Sequence, residues 1–151
     1  MSAKRLLLVA SGGGHWVQLA RMSPAFDGHK ATYVTTLPGT QPPSPSAKVA
    51  LICDASRSKP HLLILLFFQL LWIVIRVRPE VAVSTGAAPG LLAIQISKLF
   101  GAKTIWIDSI ANSEELSLSG RLAGRYADVW LTQWPHLTGA HPGLTSYGGV
   151  L

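Results

Sequence analysis

The chain has 151 residues, enough for one domain around a single core; 48% of them are hydrophobic and only 13% charged, about half the usual share. Thirteen Lys and Arg against seven Asp and Glu leave a net charge of +6, which suits an anionic membrane or an anionic small molecule. No long basic cluster and no basic stripe interleaved with aromatics is present, which disfavours nucleic acid; the single cysteine, Cys53, excludes an internal disulfide, no Cys/His metal spacing occurs, and a reducing cytoplasmic setting fits.

Lys4 to Ala10 is a short apolar run of the kind found in a central parallel strand covered on both faces, too short for a secretory core. Glycines Gly12 to Gly14 turn the chain, and HWVQLARM follows as a helix with Trp16, Leu19 and Ala20 on one face. HKATYVTT reads as a second strand, LPGTQPPSPSAK as a loop and VALICD as a third strand. After the apolar stretch HLLILLFFQLLWIVIRVR come a strand, VAVSTG, and a helix, AAPGLLAIQISKLFG, stopped by Gly101. AKTIWIDS is a further strand, LSGRLAGRYA a short helix and DVWLTQW a last strand before a tail rich in Gly, Pro and His. The alternation predicts an α/β fold: one Rossmann-like domain over residues 1–151, its mainly parallel sheet carrying helices on both faces.

Between Leu62 and Ile75 every residue but Gln69 is apolar, and Arg57, Lys59, Arg76 and Arg78 flank the run. A helix of that length is about 21 Å long against a hydrocarbon core of about 30 Å. Three readings stay open: a core helix buried all round, a helix with one face on the sheet and the other dipping into the membrane, or a genuine span. The run has no polar back, so lipid or a partner protein is expected to cover part of it. Leu62, Leu63, Leu66, Phe67, Leu70 and Trp72 are the candidate membrane contacts.

SGGGHWVQ and TGAAPG, at residues 11–18 and 85–90, are small-residue turns between a strand and a helix. Such turns aim backbone N–H groups and the positive helix end at a ligand, and in a parallel sheet both emerge at the carboxyl edge. Neither carries a dinucleotide fingerprint or a P-loop, since Val17 stands three after Gly14 and no Gly-Lys-Ser/Thr follows. His15, at the start of a helix, is placed where a neutral imidazole is favoured, as a general base requires. Asp108 ends a strand on the same edge, ahead of Ser109, Asn112, Glu114 and Glu115; Asp128, on the opposite edge, reads as structural. His136 and His141 lie in the final loops, and no metal set and no cofactor is expected.

The ordered motifs SGGGHWVQL, VSTGAAPGLLA, IDSIANSEELSLSGRLAGRYADVWLTQWPHL and YGGVL resemble the acceptor-binding, membrane-associated subunit of two-component glycosyltransferases. That family in eukaryotes helps add the second N-acetylglucosamine to dolichol-linked oligosaccharide, and it has bacterial exopolysaccharide relatives. The resemblance implies the amino-terminal half of a GT-B glycosyltransferase, similar to the enzyme that makes lipid II. Such a chain binds a polyprenyl-diphosphate-linked saccharide at the cytoplasmic face of the plasma (inner) membrane. A separate donor-binding subunit supplies the nucleotide sugar, and a hexosyl or glucuronosyl group is transferred only by the pair.

Carried over by position, His15 is the candidate base and Asp108 a second catalytic candidate. Gly12, Gly13, Gly14, Gln18, Thr85, Gly86, Ala87, Ala88, Pro89, Gly90, Ser109 and Asn112 are expected to shape the acceptor site. Family members often have an acidic residue where Gln18 stands and an arginine where Asn112 stands, and the eukaryotic amino-terminal anchor is not seen here. Two rivals are an inert scaffold that recruits the donor-binding subunit to the membrane and a nucleotide-binding α/β enzyme acting alone.

Overall fold

The computed structural model describes residues 2–55 and 58–150; Arg57, one of the basic residues expected beside the apolar helix, lies outside the described residues. The strands are β1 (Arg5–Ala10), β2 (Lys30–Thr35), β3 (Lys48–Leu51), β4 (Val81–Ser84), β5 (Lys103–Ile107), β6 (Val129–Leu131) and β7 (Leu144–Thr145). They form one sheet in the order β3-β2-β1-β4-β5-β6-β7, and every neighbouring pair is parallel. Parallel pairing requires crossovers; the helices α1 (Gly14–Arg21), α2 (Pro60–Val77), α3 (Ala87–Leu99) and α4 (Leu118–Ala123) supply four of the six, while a loop over 36–47 joins β2 to β3 and a 3-10 helix, Pro135–Ala140, joins β6 to β7. The expected α/β Rossmann-like fold is the observed one.

Strand alternation sorts the core into two layers. Leu7, Val9, Val34, Ala82 and Trp106 point to the side carrying α2, α3 and α4, where they meet Leu66, Leu70, Ile94 and Ala123. Leu6, Leu8, Tyr33, Val83 and Ile107 point to the other side, covered by Leu19 of α1 and by half-buried Trp16, Met22 and Phe26. Both faces are therefore covered, three helices lying on one and a single short helix on the other.

Several boundaries differ from the sequence reading, one of them the end of α4 at Ala123, four residues short of the expected stretch. β3 stops at Leu51, three residues before Asp54; the Ile52 N–H still bonds to Thr35 O at 3.0 Å, after which the chain leaves the sheet. β6 ends at Leu131. The tail, read as loop, returns as β7, paired to β6 and anchored by Leu144, which is buried against Leu116 and Leu137.

The apolar helix α2 begins at Pro60, whose missing N–H costs nothing in a first turn, and ends where Arg78 adopts a left-handed conformation (φ 48°). It is long and apolar enough to cross a membrane by length and composition alone, yet Leu66, Leu70, Ile73 and Val74 form a stripe buried against the sheet. That packing corrects two expectations: Leu66 and Leu70 are fully buried and face the core, so they cannot meet lipid while the fold is intact. Leu62 and Leu63 are half-buried; Phe67 and Trp72 are exposed, as are Ile64, Leu65, Phe68 and Ile75, with Trp72 and Ile64 each at 62%. Gln69, the one polar residue of the run, accepts the Cys53 N–H at 2.9 Å and so fastens the end of the β3 segment to α2.

Candidate active site

The sheet order reverses between β1 and β4: from β1 the chain proceeds outward to β2 and β3, then crosses back to β4 on the other side. Val9 and Ser84 are neighbours at that seam, and α1 and α3 leave it on opposite faces of the sheet. A crevice must open there, since the two following loops diverge. The crevice is a cleft of about 490 Å³ at the carboxyl edge, with Ser11, His15, Asp54, Ser109, Asn112 and Ser117 among its lining residues.

Both turns adopt backbone conformations that an ordinary residue resists. Gly13 has φ 75° and ψ −139°, and Gly86 has φ 140° and ψ −176°, a region open essentially to glycine alone. Ala87 follows with φ 65°, so the start of α3 is held in a strained bend. Neither α1 nor α3 has a capping side chain. Ala87, Ala88 and Pro89 line the cleft, and the uncapped first turn of α3 gives that wall the N–H groups and positive dipole end that suit an anion.

His15 is gripped by the second turn. Its Nδ1 lies 3.0 Å from the Thr85 carbonyl, and its own carbonyl accepts the Thr85 hydroxyl at 2.8 Å. A carbonyl oxygen only accepts, so Nδ1 carries the hydrogen, and in the neutral ring the lone pair resides on Nε2. Among the described residues Nε2 has no protein partner. The ring lies over Gly86, where a Cβ would come within 2.5 Å of its Nδ1 and Cε1. Two turns far apart in sequence thus fix one imidazole in one tautomer at the cleft wall.

Asp108 is placed differently from its expected catalytic role. It is 1% exposed, outside the cleft lining, and its two oxygens accept four hydrogen bonds. Oδ1 takes Trp106 Nε1 (3.2 Å) and the Ser117 hydroxyl (2.7 Å), and Oδ2 takes Asn112 Nδ2 (3.0 Å) and the Ser117 N–H (3.0 Å). A carboxylate so engaged has no lone pair left for a substrate proton. It organises the 109–117 loop and, through Ser117, caps α4, where Ser117 Oγ accepts the Gly120 N–H at 2.8 Å.

Gln18 is also a strut and not a wall residue. Its Nε2 donates to Gly14 O (3.2 Å) and Ser109 Oγ (3.1 Å), while its Oε1 accepts the Ile110 N–H (3.2 Å) and the Gln133 amide. Only an amide can donate and accept in this way, so a carboxylate at residue 18 could not replace it unchanged. Gln133 extends the network to Asp108 O and to the Val150 N–H. The first turn is thereby tied to the loop after β5 and to the tail.

Of the expected acceptor residues the structure gathers Ala87, Ala88, Pro89, Ser109 and Asn112 with His15 around the cleft. Gly12, Gly13, Gly14, Thr85, Gly86 and Gly90 are not among its lining residues. Gly90 serves packing, since a Cβ there would fall 1.9 Å from Ser84 Oγ. The sequence reading passed over Ser11, Ser117, Ser119 and Asp54; Asp54 is the carboxylate that does line the cleft. Its signal was available, because Asp54 follows the third strand on this same edge. Among the described residues no lysine or arginine lines the cleft, and no group of three His, Cys, Asp or Glu is arranged to hold a metal.

On the opposite edge Asp128 is structural, as expected: it accepts the Thr104 N–H at 2.9 Å and pairs with Lys98. The Lys98 hydrogen bond, aided by Thr104, holds its carboxyl below the usual range.

A sequence model of the family described as "Oligosaccharide biosynthesis protein Alg14 like" matches residues 51–151. The chain is 40% identical over 47 residues to a UDP-N-acetylglucosamine transferase subunit ALG14 from Eremothecium gossypii, a match covering 31% of this chain and 21% of that protein. It is 26% identical over 85 residues to the subunit of the same name from Mus musculus, covering 52% and 39%. The matches thus span well under half of either relative. Among solved structures, MurG from Acinetobacter baumannii superposes with a TM-score of 0.76 at 12% identity, over 97% of this chain and 46% of that one. UDP-N-acetylglucosamine 2-epimerase from Rickettsia bellii does so with a TM-score of 0.67 at 13% identity, over 97% and 45%.

Proposed function

Because this chain belongs to the Alg14-like oligosaccharide biosynthesis family, we propose that it is the acceptor-side subunit of a two-component glycosyltransferase. In this reading a separate donor-binding subunit holds the nucleotide sugar, and the two chains close over the cleft at the switch point of the sheet. The acceptor is a polyprenyl-diphosphate-linked saccharide at the cytoplasmic face of the membrane. Both curated relatives are named for UDP-N-acetylglucosamine, which makes it the first donor to assay among hexosyl and glucuronosyl donors.

The observation that carries the proposal is the His15 geometry. With Nδ1 committed to Thr85 O, Nε2 is the ring atom able to take the proton from an attacking acceptor hydroxyl. The acceptor diphosphate would lie against the uncapped start of α3, within reach of the hydroxyls of Ser11 and Ser119. Asn112 keeps its carbonyl oxygen available for a sugar hydroxyl, because only its amide nitrogen is engaged by Asp108.

One observation favours the scaffold reading, in which this chain only recruits its partner: among the described residues the cleft lining has no basic side chain to neutralise a diphosphate. Replacing His15 by Ala in the reconstituted pair separates the two. A general base predicts a fall in kcat of about 10²–10⁴-fold with the complex intact. Unchanged turnover would reject the base and leave the scaffold.

A further inference from the structure

Among the described residues the basic side chains lie away from the cleft lining. Five of them gather at the amino edge of the sheet, where β1, β2 and β3 begin with Arg5, Lys30 and Lys48 and where α2 ends with Arg76 and Arg78. Lys30, Lys48 and Arg76 are exposed and line a groove of about 560 Å³ between α2 and strands β2 and β3, the latter at the edge of the sheet. Arg5 reaches the same groove but is paired with Glu80 at 3.4 Å. Among the described residues none of Lys30, Lys48 and Arg76 meets a carboxylate, so three like charges face one open groove without a counter-ion.

The groove continues into a second one of about 420 Å³, lined by Leu51, Leu65 and Phe68, and the two share Ala50, Trp72 and Ile73. Trp72 stands at the junction with the Arg76 guanidinium 5.4 Å from its ring centroid, so an apolar surface and a cation meet at one side chain. The result is a basic head compartment joined to an apolar channel.

We propose that this groove binds one anionic phospholipid, its phosphate held by Lys30, Lys48 and Arg76 and an acyl chain lying along Trp72, Phe68 and Leu65. The proposal rests on the reading that the outer side of α2 meets a membrane, and it adds which lipid class is selected and where. A free phosphate would leave the apolar half empty, and a neutral lipid would leave the three cations unpaired. The site is distinct from the acceptor cleft, since it lies at the opposite edge of the sheet, a strand length or about 20 Å away.

The test titrates the full chain with dihexanoyl-phosphatidylglycerol below its micelle concentration, followed by tryptophan fluorescence, with dihexanoyl-phosphatidylcholine and inorganic phosphate as parallel arms. Saturable binding of the phosphatidylglycerol alone is expected. Changing Lys30, Lys48 and Arg76 together to Gln should weaken it roughly 100-fold, and Lys48→Gln alone about fivefold, which serves if the triple variant does not fold. A control that changes Arg21, Lys103 and Arg125 to Gln removes the same charge and should bind as the parent does. Equal affinity for the phosphatidylcholine, phosphate binding as tight as that of the lipid, or equal weakening in the control would each overturn the proposal. Flotation of the parent chain with phosphatidylcholine and with phosphatidylglycerol vesicles judges the membrane reading separately: failure on both rejects that reading, while the soluble-lipid arm still decides the groove.

Discussion

At the residue scale, the candidate site separates groups that face the cleft from groups that hold it in shape. Asp108 and Gln18 belong to the second kind, and both looked like site residues in sequence because polar residues at strand ends and helix starts serve either purpose. Burial and partner geometry decide, and neither is written in residue type. For Asp108 the consequence is measurable. In Asp108→Asn one acceptor oxygen becomes an NH₂ that faces donors, so stability should fall by roughly 1–3 kcal/mol, seen as a lower denaturant midpoint. A variant of normal stability with lost turnover would return Asp108 to the catalytic list. His15 was legible from its place behind the glycines, whereas its grip by Thr85, seventy positions away, depends on the parallel pairing of β1 with β4.

At the scale of elements, strands and helices with a clear hydrophobic period were recoverable, and their order is the observed one. The buried side of α2 was not, because a run in which nearly every residue is apolar carries no phase: composition says that the helix is hydrophobic and leaves open which side meets the sheet. β7 was missed for another reason, since Leu144 and Thr145 are extended because β6 offers them an edge and Leu116 and Leu137 a packing surface, neither of which is written in the two residues themselves. The two sides of α2 should respond differently to the same kind of change. Leu70→Ala opens a cavity in the core and should cost about 2–5 kcal/mol. Phe68→Ser, on the exposed side, should leave stability within about 0.5 kcal/mol while weakening vesicle flotation. Equal destabilisation by both would mean that the outer side is packed against protein.

At the scale of the whole molecule, the fold closes its amino edge with the Lys98–Asp128 pair and the Thr104 hydrogen bonds, which join α3, β5 and the start of β6. Because the folded Asp128 carboxyl titrates below its ordinary value, mainly through Lys98, its contribution is present above about pH 4 and is lost as the pH falls through the folded pKa. The pair is partly exposed, so its worth is small. Asp128→Asn should lower stability by about 0–1 kcal/mol at neutral pH, and the difference from the parent should vanish in strong acid, as urea titrations at both pH values would show. A difference that grew on acidification would contradict the assignment.

The course of α2 ties these scales together. It starts beside Asp54 and Ala55 at the rim of the cleft and ends at Arg78, whose carbonyl accepts from Arg5 on the far edge of the sheet. Under the proposed function, a bilayer along its outer side would bring the mouth of the cleft close to the headgroups. An acceptor confined to the leaflet would then reach His15 by lateral search in two dimensions, without extraction into water. Its encounter rate would be governed by its mole fraction among the lipids, so diluting the membrane with inert lipid is expected to slow the reaction even when the bulk amount of acceptor is held constant.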